Sequence, residues 1–212
     1  MKLEIASPYA VSFSCKRYHY AKAVPIAQVS YSVFNDLDEF CGVVVYGPGA
    51  TPNLSSPYNK WHGQVLELVR MALNGKQHTT SMVLGASLKA LKKDAPLVDL
   101  VVSYADSDQS HLGVIYQATN WIYTGLFNAG TRGAFMINGK KTHNKTVHSK
   151  GVIQSLSEVR KHLDPNATEF FTKGKHKYLM PLNKKMRKKI LPLSQPYPKK
   201  KSNIDKNDNE NI

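Results

Sequence analysis

The chain has 212 residues, of which 42% are hydrophobic and 21% charged, with a formal net charge of +14. That length suits one domain, or one domain with a tail, and is ample for a buried core. Nothing approaches the roughly 18 to 20 consecutive apolar residues of a membrane span, and Cys15 and Cys41 are too few for a disulfide framework or a self-contained zinc site.

Taken in chain order, residues 10–20 predict a helix that stops before Pro25. Val29–Phe34 alternates weakly and predicts a strand, Asn35–Asp38 a turn, and Cys41–Tyr46 a buried strand. Gly47 through Pro57 is a long Gly/Pro/Ser/Asn loop, of a length that in compact domains is often functional. Gln64–Leu73 alternates well and predicts a strand, with a helix as the alternative. Thr79, Thr80 and Ser81 are N-cap residues for a helix over Met82–Lys93. Leu97–Tyr104 is the most β-like run and ends just before Asp106, and Gln109–Thr119 predicts a short helix. Trp121–Leu126 and Phe135–Ile137 predict strands, the second closed by an Asn138-Gly139 turn. Ser149–Leu163 has a helical pattern with Ile153, Leu156, Val159 and Leu163 on one face, and His176–Leu182 predicts a last strand. The sum is a mixed α/β (α+β) layout around one central sheet, occupying residues 1–183. Residues 184–212 read as a basic linker and a disordered end.

The charge is uneven. Residues 173–201 hold eleven Lys and Arg and no Asp or Glu, whereas residues 1–172 hold 17 basic and 12 acidic residues. A field of this kind attracts polyanions. The plainer alternative is a solubilising tail. Arg17, Lys175, Lys177, Lys184, Lys185, Arg187 and Lys188 are the candidate phosphate contacts. The opening Met1-Lys2-Leu3-Glu4 lacks the layout of a secretory signal. The expectation is therefore a cytoplasmic protein with reduced thiols and no membrane contact.

Three clusters carry the chemistry. His19 and Tyr20 stand at the end of the first predicted helix, where a histidine can titrate or bind metal and a tyrosine can stack on a base. They read equally as a helix end with two half-buried aromatics. Gln77, Thr79, Thr80 and Ser81 open the second helix, where free backbone N–H groups suit a diphosphate. A capped core helix is the alternative. Asp106, at a strand end, can serve as general base, metal ligand or N-cap. Tyr116, ten residues on, is close enough to return to the same cleft as a proton donor. His19, Asp106 and a tyrosine would make an N/O set suited to iron (Fe2+).

In order, these segments resemble the Mom family, the DNA-modification proteins of Mu-like phages. The likeness runs through His19-Tyr20, Val43–Gly47, Glu67-Leu68-x-Arg70 and Val102–Asp106. It continues through Gly113-x-Ile115-Tyr116-Gln117-Ala118-x-Asn120-Trp121-x-Tyr123-Thr124-Gly125 and closes at Lys175–Tyr178. The segment 101–125 is the most specific. The resemblance implies a fold like that of GNAT acyltransferases. It implies conversion of adenine in double-stranded DNA to a form with a carbamoylmethyl (acetamido) group on the exocyclic amine. That change spoils the major-groove pattern read by restriction enzymes and protects phage DNA. It further implies His19, Tyr20 and Asp106 as catalytic or iron-linked positions and Tyr116 as a catalytic or cofactor tyrosine. Ser103 and Tyr116 join Gln77, Thr79, Thr80 and Ser81 as expected contacts to acetyl-CoA or another acyl donor. Thr80 and Met82 stand where GNAT enzymes carry glycines, which crowds a diphosphate. An ordinary N-acetyltransferase and a non-catalytic nucleic-acid-binding protein are the rival readings. Oligomeric state, including a homodimer, stays open.

Overall fold

The computed structural model describes residues 1–51 and 53–199. Its elements, in chain order, begin with β1 (Lys2–Ile5), α1 (Pro8–Tyr18), β2 (Val29–Phe34), β3 (Phe40–Gly47), β4 (Val65–Leu73) and α2 (Thr80–Asp94). There follow β5 (Leu100–Asp106), α3 (Val114–Ala118), β6 (Ile122–Phe127), β7 (Arg132–Ile137), β8 (Lys140–His143), α4 (Asn144–Ser149) and α5 (Leu156–His162). β9 (Thr168–Phe171), β10 (Lys175–Pro181) and α6 (Lys184–Ile190) close the order. Seven strands form one sheet in the order β1-β2-β3-β4-β5-β10-β6, and β8-β7-β9 form a second.

The described residues divide into two compact units, one of residues 1–104, 113–124 and 177–199, the other of residues 105–112 and 125–176. In the first unit, α1 starts two residues earlier than expected. The Ser7 side chain accepts from the Ala10 amide and Pro8 fills the first turn, where its missing N–H costs nothing. The helix ends at Tyr18, so His19 and Tyr20 lie beyond it rather than inside it. Val11 and Cys15 of α1 pack with Val43, Val45 and Ala72 of the sheet. β1 to β4 pair antiparallel, which settles residues 64–73 as a strand. α2 then carries the chain to β5, parallel to β4.

The expected helix over 109–119 is broken. A single 3-10 turn spans Ser107–Gln109, and α3 starts only after Gly113. Gly113 has φ +73°, and a Cβ there would lie 2.4 Å from Cε2 of Tyr178. Turn and close approach both demand glycine.

The expected linker from residue 184 is folded at its start. Asn183 caps α6 by accepting from the Met186 amide. Met186 and Ile190, four apart, are buried with Leu54, Tyr58, Val65, Leu100, Val102, Ile122 and Leu179. Full burial of each is worth roughly 1.5–3 kcal/mol. Like-charge repulsion between helical lysines costs only about 0.2–0.5 kcal/mol per pair, so burial wins and the helix forms. The remainder of the expected disordered end, residues 200–212, lies outside the described residues.

In the second unit, β7 and β8 are joined by Asn138 and Gly139, at φ +49° and +70°, as a tight hairpin requires. The single helix expected over 149–163 is two helices. Gly151 at φ +75° turns the chain, and Ser155 opens α5 by accepting from the Glu158 amide. Ile153, expected on the buried face, is therefore exposed. Phe135, Ile137, Val147, Val152, Val159 and Ala167 form the unit's core. Two carboxylates lock it. Burial pushes the Asp108 carboxyl up. The Lys141 ammonium, the Lys173 amide and the Thr172 hydroxyl outweigh that and hold it below the usual range. Asp164 is held low by the amides of Asn138 and Asn166.

Gly113→Ala should lower the thermal midpoint by several degrees, since a forced positive φ and an overpacked neighbour each cost on the order of 1–3 kcal/mol. An unchanged midpoint would mean that Tyr178 gives way freely to the added methyl. For Asp108 and Asp164, the folded pKa lies below the unfolded one. Their stabilisation is therefore present above the ordinary carboxylate value and lost as pH falls through the depressed values. Resistance to thermal unfolding should weaken progressively below about pH 5, and Asp108→Asn should flatten that dependence. The same slope in both proteins would sink the assignment.

Candidate active site

β4 and β5 stop pairing partway along. Their backbone register runs Val65↔Leu100, Leu66↔Val101 and Glu67↔Val102, and no further. The cause lies on the other edge of β4. There Val45 opposes Arg70 while the next residue, Tyr46, opposes Leu68, so Val69 is an extra residue. A bulge bends its strand and increases the local twist, and here it falls where β4 leaves β5. Beyond the parting point the buried Ser103 hydroxyl lies 3.3 Å from the Leu68 carbonyl oxygen and 2.8 Å from the Tyr116 hydroxyl. It carries one proton and so donates to only one of them at a time.

Tyr116 is held from behind by rings. Its centroid is 5.0 Å from those of Trp121 and Tyr178. Burial pushes its hydroxyl above the usual tyrosine value, the Ser103 hydrogen bond opposes the rise, and the charges of Glu67 and Tyr20 add to it. Burial, then Glu67, pushes Tyr104 up to about 12. Both are phenols at neutral pH and therefore proton donors. Glu67 accepts through Oε2 from the Ala50 amide at 3.3 Å, which anchors the long loop over this part of the site. Sequence reasoning reached Glu67 only as part of a resemblance. The available signal is an acid inside the apolar run Val65-Leu66-Glu67-Leu68-Val69.

The His19 and Tyr20 rings lie 4.3 Å apart, tilted by 31°, and His19 Nδ1 accepts from the Ala21 amide. Asp106 falls in the second unit and Tyr116 in the first. Asp106 Oδ1 accepts from the Asp108 amide and caps the 3-10 turn. Capping is one of the three roles its strand-end position allows. Among the described residues no group of three or more His, Cys, Asp or Glu is placed to hold a metal ion. The expected His19–Tyr20–Asp106 set counts a tyrosine among its ligands and spans both units, and no step is routed through iron.

The expected donor-binding residues hold the turn before α2. Gln77 accepts from the Gly75 amide, and the Thr79 hydroxyl caps the Met82 amide. Thr80 and Ser81 occupy the first turn. The expected phosphate contacts divide. Lys184, Lys185, Arg187 and Lys188 are exposed on α6, and Arg17 is exposed in the last turn of α1. Lys177 lies 5.5 Å over the Tyr58 ring, its ammonium pushed down by burial. Lys175 falls in the second unit. A cleft of about 560 Å³ opens between Asn120–Ile122, Arg187, Leu191 and residues 194–197. Apart from Arg187, none of the candidate site residues lines it. Among the described residues no helix is long and apolar enough to cross a membrane.

The sequence profile of the Mom protein family matches residues 4–199. The chain belongs to the Mom protein family. No curated protein matches it. Among solved structures, a spermidine N-acetyltransferase SpeG chimera from Vibrio cholerae and hSSAT aligns over 86% of this chain and 97% of its own, at 8% identity and a TM-score of 0.49. A Bacillus subtilis acetyltransferase in complex with CoA aligns over 86% and 99%, at 11% identity and a TM-score of 0.44.

Within this member of the Mom protein family, Ser103 and Tyr116 should behave as one unit. A double-mutant cycle of Ser103→Ala and Tyr116→Phe, read by denaturant unfolding, should give a coupling of about 0.5–3 kcal/mol. Additive effects would mean that the two hydroxyls act separately.

Proposed function

We propose that this chain is an acyltransferase-like enzyme that converts adenine in DNA to its N6-carbamoylmethyl form, and so shields phage DNA from restriction. Membership of the Mom protein family carries the substrate. The observation that carries the chemistry is the Ser103–Tyr116 pair at the parting of β4 and β5.

The parting suits an extended acyl-CoA arm. Two strands that diverge stop satisfying each other's backbone N–H and C=O groups, and an amide-bearing chain laid between them can take their place. The first turn of α2 adds amide donors for an anionic end, although Thr80 and Met82 crowd it more than glycines would. When bound, an acyl-CoA would supply an activated acyl group; its transfer to the adenine amine makes an N6-acyl bond and releases the CoA thiol. The carbamoylmethyl product is instead linked through a methylene carbon and carries a second nitrogen, so it requires a further, nitrogen-bearing donor. Tyr116, kept a phenol by burial, holds the proton that a departing thiolate or a developing oxyanion needs. Ser103 then reorients from Leu68 to the phenol oxygen. Glu67 is the nearby carboxylate that takes up the amine proton. The target amine must leave the base stack to reach any such site. Trp121 is fully buried and supports Tyr116 rather than the flipped base.

DNA from cells expressing the chain, digested to nucleosides, should contain an adenosine derivative heavier by one carbamoylmethyl group. Tyr116→Phe should reduce its yield by about 100-fold or more without loss of fold. An unaltered nucleoside profile together with an acetylated small amine would overturn the reading in favour of an ordinary N-acetyltransferase.

A further inference from the structure

The two tryptophans have opposite fates. Trp121 is fully buried, whereas Trp61 is 83% exposed. An exposed indole on a loose loop would mean little, but the backbone under Trp61 is closed. The Trp61 amide donates to Gln64 Oε1 at 3.0 Å, and the Gln64 amide returns to the Trp61 carbonyl at 3.1 Å. Just before it, Asn59 (φ +46°) turns the chain and the Lys60 amide bonds to the Ser55 carbonyl. The ring is therefore held out by a fixed turn.

That turn is fastened to α6. Asp99 accepts from the Lys60 ammonium and from the Asn183 side chain, the residue that caps α6. The Asp99 carbonyl also receives the Leu182 amide at 2.8 Å. Farther along the helix, the Lys189 ammonium donates to the Tyr58 carbonyl at 2.6 Å. The apolar face of α6 is turned inward through Met186 and Ile190. Lys184, Lys185, Arg187 and Lys188 are thereby left exposed on the helix that anchors the Trp61 turn. Neither segment contributes a counter-charge, because residues 47–66 and residues 173–201 contain no Asp or Glu. Asp99, the acid between them, is taken by Lys60 and Asn183.

We infer that Trp61 and the outer face of α6 form a binding surface for an unpaired segment of nucleic acid. The four cations follow the phosphates and the indole stacks on one exposed base. An aromatic platform beside a cationic groove is what a sequence-tolerant single-strand site requires, because every base has a π-face. The inference rests on the DNA-modifying reading and adds to it the place where unstacked nucleotide is held.

The test uses the full chain, an oligothymidine and a duplex of the same length. The single strand should bind more tightly and quench Trp61 emission, with Trp121 silent in its buried site. Trp61→Ala should weaken oligothymidine binding about tenfold and leave the slope of log K against log salt unchanged. Replacing Lys184, Lys185, Arg187 and Lys188 by Ala should instead flatten that slope, by about 0.7 for each phosphate released. Equal binding of strand and duplex, or unchanged affinity in Trp61→Ala, overturns the inference. If Trp61→Ala binds as before while the unaltered chain still yields modified nucleoside, this surface fails and the enzymatic reading stands. If the binding results hold but no modified nucleoside forms, the surface stands and the enzymatic reading fails.

Discussion

The parting of β4 from β5 is the constraint on which the candidate site depends. Parallel strands normally satisfy each other along their whole overlap, and here they stop at Glu67↔Val102. The extra residue at Val69 bends β4 while its pairing with β3 continues to Leu73, so the strand is not lost from the sheet. It is turned within it. What opens beside β5 are backbone polar groups that need partners. One of them, the Leu68 carbonyl, is met by the Ser103 hydroxyl. The same hydroxyl reaches Tyr116. A defect in strand pairing is thereby connected to a titratable group through protein atoms alone.

Burial organises the charge as well. The basic stretch after β10 looks at first like a chain too charged to fold. Two residues decide otherwise: Met186 and Ile190 sit four apart and share one helical face. Their burial with Leu100, Val102 and Leu179 orients α6, and orientation turns a diffuse positive charge into a one-sided one. Lys177 takes the opposite course. It stands in the same basic run, yet it is only partly exposed and its ammonium lies over the Tyr58 ring. A position in a basic run therefore does not by itself define an exposed cation.

Much of the first unit was legible in the sequence because its signals are local. Val29–Phe34 forms the strand it predicts, and Thr79 caps the helix it announces. The failures have specific physical causes. Residues 149–163 carry helical periodicity, but periodicity says nothing about the positive φ that Gly151 adopts. β8 reads Lys-Lys-Thr-His and shows no apolar alternation, because its pairing with β7 rather than its own burial holds it. Ser103 and Tyr116 were each visible as candidates, yet their bond arises from the strand, the 3-10 turn and the Gly113 break between them. Glu67 was hidden by its apolar neighbours. Asp106 was legible as a cap and is one.

The way Tyr116 is held also bears on what it can do. Its backbone carbonyl receives the Trp121 amide at 3.0 Å, and its ring is wedged between Trp121 and Tyr178. Gly113 lets that wedge close, since any side chain there would strike Tyr178 and Tyr116. Orientation by packing leaves the hydroxyl uncommitted to a fixed donor or acceptor role. If hydrogen bonds alone had aimed the ring, giving up the proton would disturb its position. Here the rings keep their places and only the Ser103 proton needs to turn. A phenol aimed by its neighbours and coupled to one rotatable hydroxyl is suited to delivering a proton and recovering it, which is the demand that group transfer makes on an acid.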